Sequence, residues 1–98
     1  MSKNAELKTA MSDAFIDLQV KCNAANALDK IQLRKELDKM SAEIAKLNVA
    51  LLKESTVVND ADMQEMAEIK QLIDKAASKQ QLIASIAKAI GFIASKVI

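Results

Sequence analysis

Three places in this sequence carry residue types that could do chemistry: Cys22, the run Asn59-Asp60-Ala61-Asp62, and the pair Glu65 and Glu68. A thiol can act as a nucleophile, and oxygen ligands at short spacing can hold a hard cation. Each lacks the partner its chemistry requires. The chain contains no His, which removes the commonest general base and the commonest metal ligand. Cys22 therefore has no imidazole to activate it. Val20 and Ala24 flank it in an apolar stripe, which makes it a small buried hydrophobe. Glu65 and Glu68 lie about one helical turn apart, but di-iron bundles complete such pairs with Glu-x-x-His. Without the His, the pair reads as a solvated acidic face. The Asn59–Asp62 run lacks the Gly and the later bidentate Glu of a calcium loop and reads as helix capping. A single Gly, Gly91, excludes glycine-rich phosphate loops. The expectation is a protein that is not an enzyme, with no catalytic residue, metal, cofactor or small-molecule substrate.

Charge points the same way. Fourteen basic residues against thirteen acidic ones leave a net charge of +1, which gives no electrostatic reason to expect nucleic acid. Lys30, Arg34, Lys35 and Lys39 form a small basic face. Glu36, Asp38 and Glu43 interleave with it, and no aromatic residue offers base stacking. A single Cys cannot close an intrachain disulfide, so a reducing compartment, the cytoplasm, is the expected location. Lys3, Asn4, Glu6 and Lys8 interrupt any secretory apolar region. No uncharged apolar run reaches the length of a conventional transmembrane helix. Membrane association and leaderless secretion stay compatible with this pattern.

The elements that would position any site are helices. The 98 residues include no Pro, no Tyr, no Trp and two Phe, while Ala, Leu, Lys, Ile, Gln and Met favour helix. Leu7, Met11, Ala14, Leu18, Cys22 and Ala25 recur at helical spacing as one seam. Leu33, Leu37, Met40, Ile44, Leu47 and Leu51 form a second, heptad-like seam out of phase with the first. A tight turn at Asn26–Asp29 separates them, with Asp29 as N-cap and Gln32 completing a capping box. The sharpest break is Ser55-Thr56-Val57-Val58-Asn59-Asp60, where β-branched and cap-forming residues cluster. Beyond it, Met66, Ile69, Ile73, Ala76, Gln80, Ile83, Ala87, Ile90, Ala94 and Val97 keep one phase. That favours one continuous helix, although Ser78-Lys79-Gln80-Gln81 could cap a new one. The sequence thus predicts an all-α, antiparallel three-helix bundle in a single domain over 1–98, with coiled-coil-like seams. Its helices span about 4–26, 30–54 and 60–97, with turns near 27–29 and 55–59. A two-helix hairpin and a bundle of four short helices are the alternatives.

From Leu82 onward, apolar residues wrap most of the helix. Residues 79–98 hold three lysines and no acid. A helix apolar nearly all round must be covered on several sides, in a bundle centre or at an oligomer interface. Two other helices cannot cover it, and a second copy of the chain supplies more. The expected interface is Leu82, Ile83, Ile86, Ala87, Ile90, Phe92, Ile93, Ala94 and Val97, in a homo-oligomer, with a dimer favoured. The expected function is a non-catalytic protein–protein interaction module. One alternative is a membrane-active or membrane-surface protein using residues 79–98, since Lys88, Lys96 and Phe92 on a broad Ile/Ala face suit an interfacial helix. A second is an adaptor or chaperone-like hairpin that binds a partner protein's helix.

Overall fold

The computed structural model describes residues 2–53 and 56–97. Glu54 and Ser55, within the expected break, and Ile98, at the end of the apolar tail, lie outside the described residues. The all-helical class holds, with four helices in place of the expected three: α1 (Lys3–Asn23), α2 (Ala27–Leu52), α3 (Asp60–Lys75) and α4 (Lys79–Lys96).

The first two seams are the buried stripes of α1 and α2. Leu7, Met11, Ala14, Leu18 and Cys22 are buried on α1, and Leu33, Met40, Leu47 and Leu51 on α2. Leu37 and Ile44 are half-buried and pack against the same core. The turn between the helices comes earlier than 27–29, because Asn26 and not Asp29 is the N-cap of α2. Asn26 Oδ1 accepts from the Asp29 amide at 2.9 Å, which satisfies one of the free donors at the helix start. Asp29 and Gln32 are thereby released for another task. Both reach the ammonium of Lys79 in the first turn of α4, at 3.6 Å and 3.1 Å.

The third expected helix divides at Ala76–Ser78, for reasons that are local and satisfied. Ala76 leaves the helix with an extended backbone. Ser78 caps α4 by accepting from the Gln81 amide at 3.2 Å. The Gln81 side-chain oxygen turns back to accept from the Ala77 and Ser78 amides at 2.8 and 3.1 Å. This is a complete capping box, so reversing the chain leaves few backbone groups unpaired. Carbonyls at the end of α3 find a donor in another helix. Lys21 Nζ, from α1, donates to the oxygens of Ile73 (2.6 Å), Asp74 (2.7 Å) and Ala76 (3.0 Å). All three ammonium protons are used, and a cation lies at the negative end of the α3 dipole.

The break also resets the phase of the core. Instead of Ile83, Ala87, Ile90 and Ala94, the buried residues of α4 are Leu82, Ile86, Ala89 and Ile93, together with Ser85 and Phe92. Each lies one residue before the position that a continuous seam specifies, a rotation of about 100°. The buried Ser85 hydroxyl donates to the Gln81 carbonyl at 2.9 Å.

End-to-end contacts fix the topology. Lys3 meets Asp60 and Lys21 meets the end of α3, so α1 and α3 run parallel. Lys79 meets Asp29, so α2 and α4 run parallel. Lys96 meets Asp62, so α3 and α4 are antiparallel. The order is up-down-up-down, but α2 and α3 occupy opposite corners without touching, and α1 meets α4 across the other diagonal. α4 contacts all three other helices, α2 most extensively. One core cluster draws on all four helices.

The Lys21 ammonium should matter more than its half-exposed position suggests. Lys21→Met keeps the stem but takes the ammonium from three carbonyls, of which Ile73 keeps the Ala76 amide, and should lower unfolding free energy by about 1–2 kcal/mol. Urea denaturation followed by circular dichroism measures this. Lys75→Met, on the solvent side of the same turn, should change stability by less than about 0.5 kcal/mol.

Candidate interaction surface

The residues with chemical potential are placed as structure. Cys22 is 3% exposed, and burial pushes its thiol up from its ordinary value, which suppresses the reactive thiolate. Glu65 and Glu68 are exposed on α3. Asn59 is the N-cap of α3, accepting from the Asp62 amide at 2.9 Å. Asp62 accepts in return from the Asn59 amide at 3.0 Å, and Asp60 pairs with Lys3 at 3.2 Å. Among the described residues, no group of three or more His, Cys, Asp or Glu is arranged to hold a metal ion. None of their helices is long and apolar enough to cross a membrane.

Asp62 does more than cap. Its carboxylate accepts from Lys96 Nζ at 2.7 Å, and the two side chains are only 13% and 15% exposed. Burial alone would push this carboxyl up. The Lys96 hydrogen bond, the Asn59 amide and the Lys96 charge outweigh burial and hold it below its usual value. The pair ties the end of α4 to the start of α3, as Lys21 ties the other ends of α1 and α3.

The nine positions expected at an interface on the last helix fall into three groups. Leu82, Ile86, Phe92 and Ile93 are buried inside the chain. Ile83, Ile90 and Val97 are half-buried against the same core. Ala87 and Ala94 are exposed, beside Ala84, Lys88 and Gly91. The surface left on α4 is therefore a strip of small residues, and the large side chains are covered by α1, α2 and α3. Met11, Met40 and Met66 are core residues as well.

Large apolar side chains remain uncovered elsewhere. On the α1–α2 hairpin, Ile16, Val20 and Ile31 are 55%, 65% and 61% exposed. Ile16 and Val20 border a shallow groove between the two helices that Phe15, Gln19, Asn23, Arg34, Leu37, Asp38 and Ser41 also line. A short extension toward the turn is lined by Cys22, Ala27, Lys30 and Ile31. These three aliphatics were not among the residues singled out from sequence. Ile16 and Val20, four apart, and Ile31, off the α2 seam, are among the apolar residues left over once each buried stripe is assigned, with Leu28, Val49 and Leu52 on α2. That remainder is the signal that could have found them.

No protein-family model, curated protein or solved structure matches this chain.

Two measurements test this description. Cys22 should react with a thiol reagent at least about tenfold more slowly in native buffer than in denaturant, as a buried, protonated thiol does. Asp62→Asn should lower Tm near neutral pH by on the order of 5 °C, for about 1 kcal/mol lost. The gap should close on acidification. A carboxyl held low in the folded state stabilises above its unfolded value near 3.9, and that stabilisation is lost as pH falls through the lower folded value. Melting curves of both proteins from pH 7 to about pH 2 read this out.

Proposed function

We propose that this protein is a non-catalytic protein–protein interaction module that associates with a second copy of itself, and that the face used is the outer face of the α1–α2 hairpin. The observation carrying the reading is the cluster of Ile16, Val20 and Ile31, each more than half exposed on one side of one hairpin. Isolated exposed aliphatics need no explanation, but several bordering a common groove between two helices mark a docking face. The absence of His from the sequence and the burial of its one thiol support a role without catalysis.

Available area favours the hairpin over α4. The exposed strip of α4 offers Ala84, Ala87, Gly91 and Ala94, whose side chains bring little apolar surface. The α1–α2 face is two helices wide and as long as the 21-residue α1. At 1.5 Å per residue and about 10 Å per helix, that is about 600 Å² per copy. Twice that area reaches the low end for specific complexes.

Absolute mass by size-exclusion chromatography with light scattering, from about 1 µM to 1 mM chains, should rise from monomer to dimer. Ile16→Asp with Val20→Asp should hold the protein at monomer mass across the range with its helicity unchanged. Ile86→Asp, at a fully buried position, should instead unfold the bundle. A wild-type chain that stays monomeric throughout would remove self-association as the function.

A further inference from the structure

The face proposed for docking carries charges in a pattern that specifies how a second copy would lie on it. On α1, Phe15, Gln19 and Asn23 line the groove toward α2. At 100° per residue, Asp13 and Asp17 fall on the far flank of α1, beyond the Ile16–Val20 ridge. On α2, Arg34 and Asp38 both line the groove, Lys30 lines its extension toward the turn, and Lys35, at 100° per residue, lies on the flank away from α1. Asp13, Asp17, Arg34 and Lys35 are all exposed, and none has an ion-pair partner among the described salt bridges. The α1 side of the face is therefore acidic and the α2 side basic on balance, with Lys30, Arg34 and Lys35 outnumbering Asp38.

Height along the helices completes the pattern. Measured from the α1–α2 turn at 1.5 Å per residue, Asp17 and Asp13 lie about 9 and 15 Å along α1. Arg34 and Lys35 lie about 10 and 12 Å along α2, within the same band. Val20 and Ile31 are likewise level, at about 4 and 6 Å. A two-fold axis lying in the interface and running along the helices preserves these heights and exchanges the edges.

Resting on the self-association reading above, we infer that two copies pair face to face in parallel, with α1 of each lying over α2 of the other. The acidic edge of each copy then meets the basic edge of its partner, twice, and Val20 of each meets Ile31 of the other. The alternative two-fold, perpendicular to the helices, sets α1 on α1 and acid against acid, which is repulsive. The charges thus select one of two otherwise comparable packings.

Two variants and their mixture test this. Asp13→Lys with Asp17→Lys makes both edges basic, and Arg34→Glu with Lys35→Glu makes both edges acidic. Each variant alone should dimerise at least tenfold more weakly than wild type at low salt. A 1:1 mixture should restore a dimer containing one chain of each kind, seen by light scattering and native mass spectrometry. All four positions are exposed, and matching thermal melts confirm that each variant is folded. A wild-type dimer with both variants dimerising as tightly as wild type overturns this pairing but leaves self-association standing. So does weakening of both variants with no rescue in the mixture. A wild-type chain that is monomeric at every concentration overturns the parent reading and this inference together.

Discussion

The reversal of the chain at Ala76–Ser78 is the constraint on which the rest of the bundle depends. α4 is too apolar to stand in solvent. Each large aliphatic side chain it buries contributes roughly 1.5–3 kcal/mol relative to exposure. That gain is available within one chain only if α4 folds back along α3 and reaches α2 and α1. The turn is viable because its polar groups are met on both sides, by the Ser78–Gln81 box behind it and by the Lys21 ammonium in front. The Lys96–Asp62 pair then holds the far end of α4 in register.

Much of this was legible in the residues, and the part that was not has a physical reason. The seams of α1 and α2 follow a 3.6-residue period with one polar and one apolar face, so their buried residues could be named from spacing. The cluster at 55–60 could be read because β-branched and cap residues disfavour helix together. The 76–78 turn was hidden because apolar residues on either side happen to keep one phase, so periodicity runs on through it. The local signal, Ser78 with Gln81 three residues later, was present, and the polar Gln80 on the apparent seam was its companion. Capping chemistry decided the point over periodicity, because only the turn covers α4. At the first turn the Asp29–Gln32 pattern points three residues too late: Asn26 is the cap, and Asp29 supplies the amide that it accepts from.

The interaction face was less legible than the fold. An apolar helix of unknown surroundings demands cover, and a chain of three helices has only two others to supply it, which points residues 79–98 toward a second chain. A fourth helix within the chain changes that accounting, and the demand moves to residues that the periodic analysis leaves over. Ile16, Val20 and Ile31 are unremarkable singly in sequence. They become a face only when α1 and α2 are set side by side with a known rotation, which is tertiary information.

The Lys21 contacts have a temporal consequence. They join residues 52 to 55 positions apart, whereas α1 and α2 are joined across three residues. Loop-closure entropy grows by about 0.6 kcal/mol for each doubling of length, so the longer closure costs on the order of 2.5 kcal/mol more. By this measure the α1–α2 and α3–α4 hairpins, each closed across three residues, are both less costly to form than the docking of one on the other. Until that docking, the core stripe of the α1–α2 hairpin is as open as its outer face. The order of events on the folding pathway thus determines which of its two sides a neighbouring chain meets first.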